Sequence, residues 1–353
     1  MADSANKTII VTEKRSRFWS RIGWIGFLVC LAILIAQSDA RKSYFDRTGG
    51  IQERFFSGET NANNKIAVIH VSGAILTGSG FVKQQIDRIR QDENIKGVIL
   101  RINSPGGTIS GSHYLYHHLS ELRKARNLPM VVSMGGVAAS GGYYIAMAVG
   151  PGENLIYAEP TTTTGSIGVI IPNYNITGLL DKFGVKDESI KSHPLKDMLS
   201  MTRPMTDEEK LILQDYVDES FRRFKRVILA TRPQLKGTAA DSLQDPQSEK
   251  DLATGQIFTA DQAMQSQLID QIGFVEDAVA RIRELAGLTD RNSKVVEYRR
   301  PFSLSGMLGV ASAPDRIEHD SRPQAEFWNA TAPQAYYLST TIPPLMSSLP
   351  LAK

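Results

Sequence analysis

Along the first half of the chain, apolar positions alternate between two periods. IAVIHV (Ile66–Val71), VILRI (Val98–Ile102) and MVVSM (Met130–Met134) are short apolar runs of strand type. Between them, apolar residues return at helical spacing over about Val82–Arg90 and Ser110–Arg126. Strand-like runs alternating with helical stretches predict repeated strand and helix units in an α/β layered fold. Two further strands are predicted at Leu155–Ala158 and Gly168–Pro172. The pattern changes at Thr206, where TDEE offers a capping box: the Thr206 hydroxyl accepts from the Glu209 N–H and the Glu209 carboxylate reaches back. Leu213, Val217, Phe221, Phe224 and Ile228 then predict one long amphipathic helix to about Thr231. After a polar break near Gln244–Lys250 come a short helix, the strand-like LIDQI (Leu268–Ile272) and a helix over about Val275–Ala286. From about Phe302 the chain turns rich in Pro, Ser, Ala and Thr, so residues 301–353 are expected to be a mostly disordered tail. No internal repeat of solenoid type is visible.

The N-terminus carries a different pattern. Ile22–Ala36, IGWIGFLVCLAILIA, is uninterrupted by charge, and its flanks extend it toward the length of about 20 residues that a membrane span needs. Lys7, Lys14, Arg15, Arg17 and Arg21 precede it, against Arg41, Lys42 and Arg47 after it. That bias predicts a cytoplasmic tail (1–21), a transmembrane anchor (22–38) in the cytoplasmic membrane, a polar linker (39–64) and an extracytoplasmic body (65–300). A cleaved signal peptide, with Ser38 and Ala40 as a small-x-small site, is the competing expectation.

Composition changes this picture little. The chain has 353 residues, 42% hydrophobic and 22% charged, ordinary for a globular protein. With 40 Lys and Arg against 37 Asp and Glu, the net charge of +3 gives no electrostatic signature of nucleic-acid binding. The single cysteine, Cys30, lies in the apolar run, so the body has no disulfide, no Cys-based metal site and no cysteine nucleophile.

Three segments carry candidate chemistry. RINSPGG (Arg101–Gly107) leaves a strand through a Pro-Gly-Gly turn whose backbone N–H groups can face open space, although an ordinary strand-to-helix turn fits the same residues. SMGGVAASGGYY (Ser133–Tyr144) surrounds Ser140 with small residues at an expected helix start. Its hydroxyl would be open to a peptide carbonyl, the next N–H would be free for an oxyanion, and a helix N-terminus favours that charge. A tightly packed helix with Ser140 as N-cap is the alternative. None of the six histidines sits in a recognisable triad motif, and His113, His117 and His118 share one helix where a solvated face is expected. Lysine can act as base if burial lowers its pKa, and Lys196 in SHPLKD is the candidate, although a lone lysine is ordinarily a surface charge.

In order along the chain, INSPGG, GGVAASGGYYIA, TGSIGVI (Thr164–Ile170), LKD and PMTDEE (Pro204–Glu209) together resemble the signal peptide peptidase A family of serine proteases. The likeness spans about Lys65–Leu285, including ATGQIFTADQAMQSQLIDQIG. The resemblance implies an α/β Clp protease/crotonase-like fold, with Ser140 as nucleophile and Lys196 as general base. It further implies that Ser166 orients the lysine amine and that the N–H groups of Gly107 and Gly141 form the oxyanion hole. No metal or other cofactor is expected. The implied partners are peptide substrates, above all signal peptides left after secretion, the lipid membrane, and further copies of the chain in a head-to-tail homo-oligomeric ring. In such a ring, Ser140 of one subunit would meet Lys196 of its neighbour. Departures from the family pattern are His193, Ala260 and Gln267, where glycine is usual, and VGPGEN before Leu155, which looks like a small insertion. Rival readings from other classes are a crotonase-like acyl-CoA enzyme and a non-catalytic membrane scaffold.

Overall fold

The computed structural model describes residues 50–235, 252–300 and 335–338, with Trp24, Gly26, Phe27 and Cys30. The chain forms two compact units, Met1–Gly50 and Ile51–Lys353. Trp24, Phe27 and Cys30 are helical and exposed, but most of the expected anchor over 22–38 lies outside the described residues, as does the polar break at Gln244–Lys250. Among the described residues, no helix is long and apolar enough to cross a membrane.

The second unit is a mixed α/β structure. Its strands are β1 (Gln52–Gly58), β2 (Asn64–Ser72), β3 (Ile95–Ser104), β4 (Gly106–Thr108), β5 (Met130–Ala139), β6 (Ile156–Ala158), β7 (Thr163–Gly165), β8 (Ile257–Thr259), β9 (Gln271–Ile272), β10 (Ser293–Arg299) and β11 (Tyr336–Leu338). The helices are α1 (Phe81–Gln91), α2 (Ile109–Arg126), α3 (Gly141–Ala146), α4 (Thr177–Lys182), α5 (Asp207–Thr231), α6 (Ala260–Gln265) and α7 (Val275–Ala286). A nine-stranded sheet runs β1-β10-β2-β3-β5-β6-β9, with β7 pairing β5 and β8. From β10 to β9 the pairings are parallel, while β1 and β8 are antiparallel additions.

Both faces of the central strands are covered, as a parallel sheet requires. Ala67, Ile69 and Val71 of β2 and Val98, Leu100 and Ile102 of β3 enter the larger core, with Ile86 and Ile89 of α1, Leu115, Leu119 and Leu122 of α2, and Phe224 and Ile228 of α5. The alternate residues, Ile66, Val68 and Ile99, face a smaller core closed by Ala278, Val279 and Ile282 of α7. These apolar runs are therefore strands buried on both sides. The Thr206–Glu209 capping box is present in full at the start of α5.

Several elements differ from the expectation. The segment taken as linker contains β1, which pairs with β10 although neither strand has a long apolar run. Gly168–Pro172 is not a strand. The strand there is β7, five residues earlier, and Ile170 makes only an isolated bridge to Tyr336. In LIDQI only Gln271–Ile272 is a strand, while Leu268 and Ile269 are apolar because the core takes their side chains. The tail expected to be mostly disordered contributes β11, antiparallel to β4.

Candidate active site

Ser140 is the residue at which β5 ends and α3 begins. Its φ of 52° and ψ of −114° place a non-glycine residue in a left-handed, sparsely populated region, a strain of about 1–3 kcal/mol. Two bonds hold that conformation: Ser140 N–H donates to the Gly165 carbonyl at 2.7 Å, and Tyr144 N–H donates to the Ser140 carbonyl at 2.8 Å. Thr164 Oγ1 donates to the Ala138 carbonyl at 2.7 Å, fastening β7 beside the turn. The TGSIG segment is thus part of the mould that shapes the serine turn. The Ser140 side chain is buried, and its Oγ has no hydrogen-bond partner among the described residues. Because α3 has only six residues, any anion at this turn is served by local N–H groups more than by a long helix dipole.

The Pro-Gly-Gly turn meets this serine from β3. Ser104 is buried, its Oγ donates to the Gly73 carbonyl at 2.6 Å, and Gly106 N–H donates to that Oγ at 3.2 Å. Gly106 has φ of 101°, and a Cβ there would lie 2.1 Å from the Tyr337 carbonyl oxygen and 2.7 Å from Gly141 N. A Cβ on Gly107 would lie 2.1 Å from the Ile75 carbonyl oxygen. A Cβ on Gly141 would lie 3.1 Å from Gly107 N. Backbone presses on backbone at three glycines, which brings the amides of Gly107 and Gly141 to one small space beside Ser140. Ser112, which the sequence motifs do not mark, lines the same space: its buried Oγ is without a partner among the described residues and lies 2.4 Å from where a Gly141 Cβ would stand.

Ser166 follows β7 with φ of 51°, is 6% exposed, and donates its N–H to the Gln256 carbonyl at 2.7 Å. Lys196 lies on a short 3-10 turn, Pro194–Asp197, and is exposed. His193 caps that turn, its Nδ1 accepting from Leu195 N–H at 3.2 Å. The structure therefore brings Ser140, Gly107 and Gly141 together but makes no hydrogen bond between Ser140 Oγ and Lys196 within one chain.

What fixes the Lys196 turn is a network that the motifs contained but that was not foreseen. Asp197 pairs with Arg203 at 2.7 Å and with Lys191, and Arg203 reaches on to the buried Glu209, which caps α5. Hydrogen bonds from Arg203 and Lys191 hold the Asp197 carboxyl well below the usual carboxylate range. Those from Arg203, and from Thr206 N–H, hold Glu209 down at about 2. The aspartate of LKD and the last glutamate of PMTDEE are thus two ends of one clamp. His113 also departs from expectation: it is half-buried, and its Nδ1 lies 2.8 Å from the Tyr144 hydroxyl. Among the described residues, no three His, Cys, Asp or Glu side chains gather as a metal-holding group.

The chain is similar to known proteins. The model of peptidase family S49 matches residues 122–289, which include Ser140, Ser166 and Lys196. A candidate signal peptide peptidase SppA of Enterococcus faecium is 34% identical over 307 residues, covering 80% of this chain and 84% of that protein. A candidate protease of Synechocystis sp. is 38% identical over 230 residues, covering 65% of this chain and 77% of that one. Among solved structures, a mutant of ClpP1 from Listeria monocytogenes matches 60% of this chain and 94% of its own at 14% identity, with a TM-score of 0.37. The chain belongs to peptidase family S49 and is a serine peptidase of the SppA kind.

Proposed function

We propose that this peptidase is a membrane-anchored endopeptidase of Clp protease/crotonase-like fold, with Ser140 as nucleophile and Lys196 as general base, acting on signal peptides left after secretion. The observation that carries the reading is the state of Ser140. Its hydroxyl is buried, without a partner among the described residues, on a strained turn beside two glycine amides. An unsatisfied buried hydroxyl costs about 1–3 kcal/mol, and such costs gather where a group must stay free to react. Lys196 takes the Ser140 proton as Oγ attacks the scissile carbonyl, the N–H groups of Gly107 and Gly141 receive the oxyanion, and the lysine protonates the leaving amine. Water then hydrolyses the ester. The Ser166 hydroxyl orients the lysine amine, and the sequence calls for no metal or organic cofactor. Residues 22–38 tether the body on the extracytoplasmic side, where released signal peptides lie.

Two observations favour completion of the site by a second copy of the chain. Among the described residues Ser140 Oγ meets no base of its own chain, while Lys196 is exposed. The chain leading to Lys196 also exposes Tyr174, Phe183 and Ile190, at 69%, 75% and 102%, an apolar surface suited to a neighbour in a head-to-tail ring.

The test combines labelling and mixing. A fluorophosphonate should label the wild type at Ser140, and folded Ser140→Ala and Lys196→Ala should each lose nearly all peptidase activity. Unfolded together and reassembled, the two inactive variants should regain activity. Confirmed mixed assemblies without activity would exclude a shared site, and wild-type turnover by Lys196→Ala would remove the lysine from the mechanism.

A further inference from the structure

We propose that the Ser112 hydroxyl is a third donor to the oxyanion of this peptidase, beside the N–H groups of Gly107 and Gly141. The inference rests on the Ser140 mechanism above and adds to it a side chain from a different helix.

Ser112 is the fourth residue of α2, which starts directly after β4, the strand that carries Gly107. It has no exposed surface. A buried serine inside a helix can satisfy its hydroxyl on the carbonyl three or four residues earlier. Ser112 Oγ makes no such bond, nor any other, among the described residues. Neighbouring hydroxyls are fully engaged. Thr108 Oγ1 donates to the Leu76 carbonyl at 2.9 Å and accepts from Gly111 N–H at 3.1 Å, and Ser104 Oγ is bonded on both sides. Five buried side-chain polar atoms lack a partner among the described residues, and the two that are serine hydroxyls, Ser112 and Ser140, border the same glycine-walled space. A buried hydroxyl without a partner weakens the fold, so its placement beside the nucleophile points to a partner that arrives with the substrate.

The position that a Gly141 Cβ would take marks the centre of that space. Outside its own stretch of chain, the three heavy atoms nearest to it are Ser112 Oγ at 2.4 Å, Gly107 N at 3.1 Å and the Tyr337 carbonyl oxygen at 3.1 Å. A hydroxyl, an amide and a carbonyl oxygen thus surround one point. A substrate carbonyl oxygen in this space has the Gly107 amide and the Ser112 hydroxyl as polar neighbours. Glycine at 141 keeps the hydroxyl free to turn toward it.

The chemistry suits a charge that develops during the reaction. The hydroxyl hydrogen rotates about the Cβ–Oγ bond, so it can be aimed without moving the backbone. A hydrogen bond to an oxyanion is roughly twice as strong as one to a neutral carbonyl, so this contact strengthens as the tetrahedral intermediate forms. Its effect therefore falls on kcat more than on KM. Unlike the short α3, α2 has 18 residues, and its positive end at Ser112 favours the same charge.

The test uses the full chain. Loss of one oxyanion donor costs about 100- to 1,000-fold, and with two amides left in place Ser112→Ala should lower kcat by about 10- to 100-fold, KM staying within about twofold. Its melting temperature should be unchanged or higher, because the hydroxyl removed has no partner. Ser112→Cys, similar in shape and a weaker donor, should fall between, and carries the same comparisons should the alanine variant fail to fold. A second measurement separates a donor from a packing residue. A peptide aldehyde, which forms a tetrahedral adduct on Ser140, should bind Ser112→Ala at least tenfold more weakly than wild type, while the matching peptide alcohol, which has no carbonyl, should bind both equally. Unchanged kcat in the folded variant, or equal weakening of aldehyde and alcohol, would overturn the proposal. Inactivity of Ser140→Ala in the same assays keeps the peptidase reading standing in that event, whereas turnover by Ser140→Ala would overturn both.

Discussion

Alanine at Gly141 separates folding from chemistry at this site. Gly141 is not among the positive-φ residues, so its backbone accepts a side chain. The added methyl would stand 2.4 Å from Ser112 Oγ and 3.1 Å from both Gly107 N and the Tyr337 carbonyl oxygen. Ser112 Oγ has no partner to lose among the described residues and can rotate away, so the folding cost should stay within the ~1 kcal/mol of an ordinary substitution. The other two contacts cannot relax so cheaply. Gly107 N belongs to a strand whose own Cβ position abuts the Ile75 backbone, so a carbonyl oxygen at the Tyr337 position has to yield by a few tenths of an ångström. Displacement by about 1 Å costs on the order of 100-fold in rate, and loss of one oxyanion donor costs about 100- to 1,000-fold. A partial displacement should therefore cost about 10- to 100-fold in kcat/KM, or ~1.4–2.7 kcal/mol of transition-state stabilisation. Steady-state cleavage of a quenched fluorescent peptide measures the catalytic loss and thermal denaturation the folding cost. Turnover within threefold of wild type by a fully folded Gly141→Ala would remove Gly141 from the oxyanion site.

Further predictions concern the scaffold. Arg203→Met takes the shared partner from Asp197 and Glu209 at once, leaving them Lys191 and the Thr206 N–H; the Lys196 turn should loosen, lowering kcat by about tenfold or more, and a fold-retaining variant with unchanged kcat would exclude the clamp. Because Arg203 and Thr206 hold Glu209 at about 2, its contribution to stability is present above the unfolded value of ~4.3 and is lost as pH falls toward 2. The melting temperature should fall between about pH 4.5 and 2, and Arg203→Met should flatten that slope; an unchanged slope would deny the coupling. Gln267 has φ of 60°, and Gln267→Gly should raise stability by about 1 kcal/mol, seen as a melting-temperature rise of ~2 °C; a fall would mean that the Gln267 side chain contributes more than the backbone strain removes.

Much of the architecture was legible because the central strands are buried on both faces. Continuous apolar runs such as VILRI announced them, and the helices between followed from spacing. β1 and β10 were missed because an edge pair needs backbone partners more than a long apolar stripe. β7 was missed because three residues carry no period, and its role lies in the Gly165 carbonyl and Thr164 hydroxyl beside Ser140. At the site, small residues marked Ser140, but the bond from its N–H to Gly165 joins positions far apart in sequence. The Asp197–Arg203–Glu209 clamp left one readable trace: an acid, a base and an acid, each six residues from the next, around a helix start. Tyr336–Leu338 sits in a compositionally ordinary tail, and only its pairing with Gly106–Thr108 distinguishes it. Gln267 is the one departure from the family's glycines with a visible backbone reason: the conformation there is left-handed, and its carbonyl accepts two bonds from the buried Arg232.

β5 changes partners along its length. Val132–Met134 pair with β6, whereas Val137–Ala139 pair with β7, which in turn holds β8. Past Met134 the sheet is forked, and Ser140, the proposed nucleophile, follows the narrower tine. A strand that changes partners in this way can belong to two cooperative units of unequal stability. Native-state hydrogen exchange should resolve them, the amides of Val131–Met134 opening only with the global core and those of Val137–Ala139 opening together with β7 and β8. The serine turn can then breathe with its small outer sheet while the main sheet stays closed, giving the reactive end of β5 its own thermal clock.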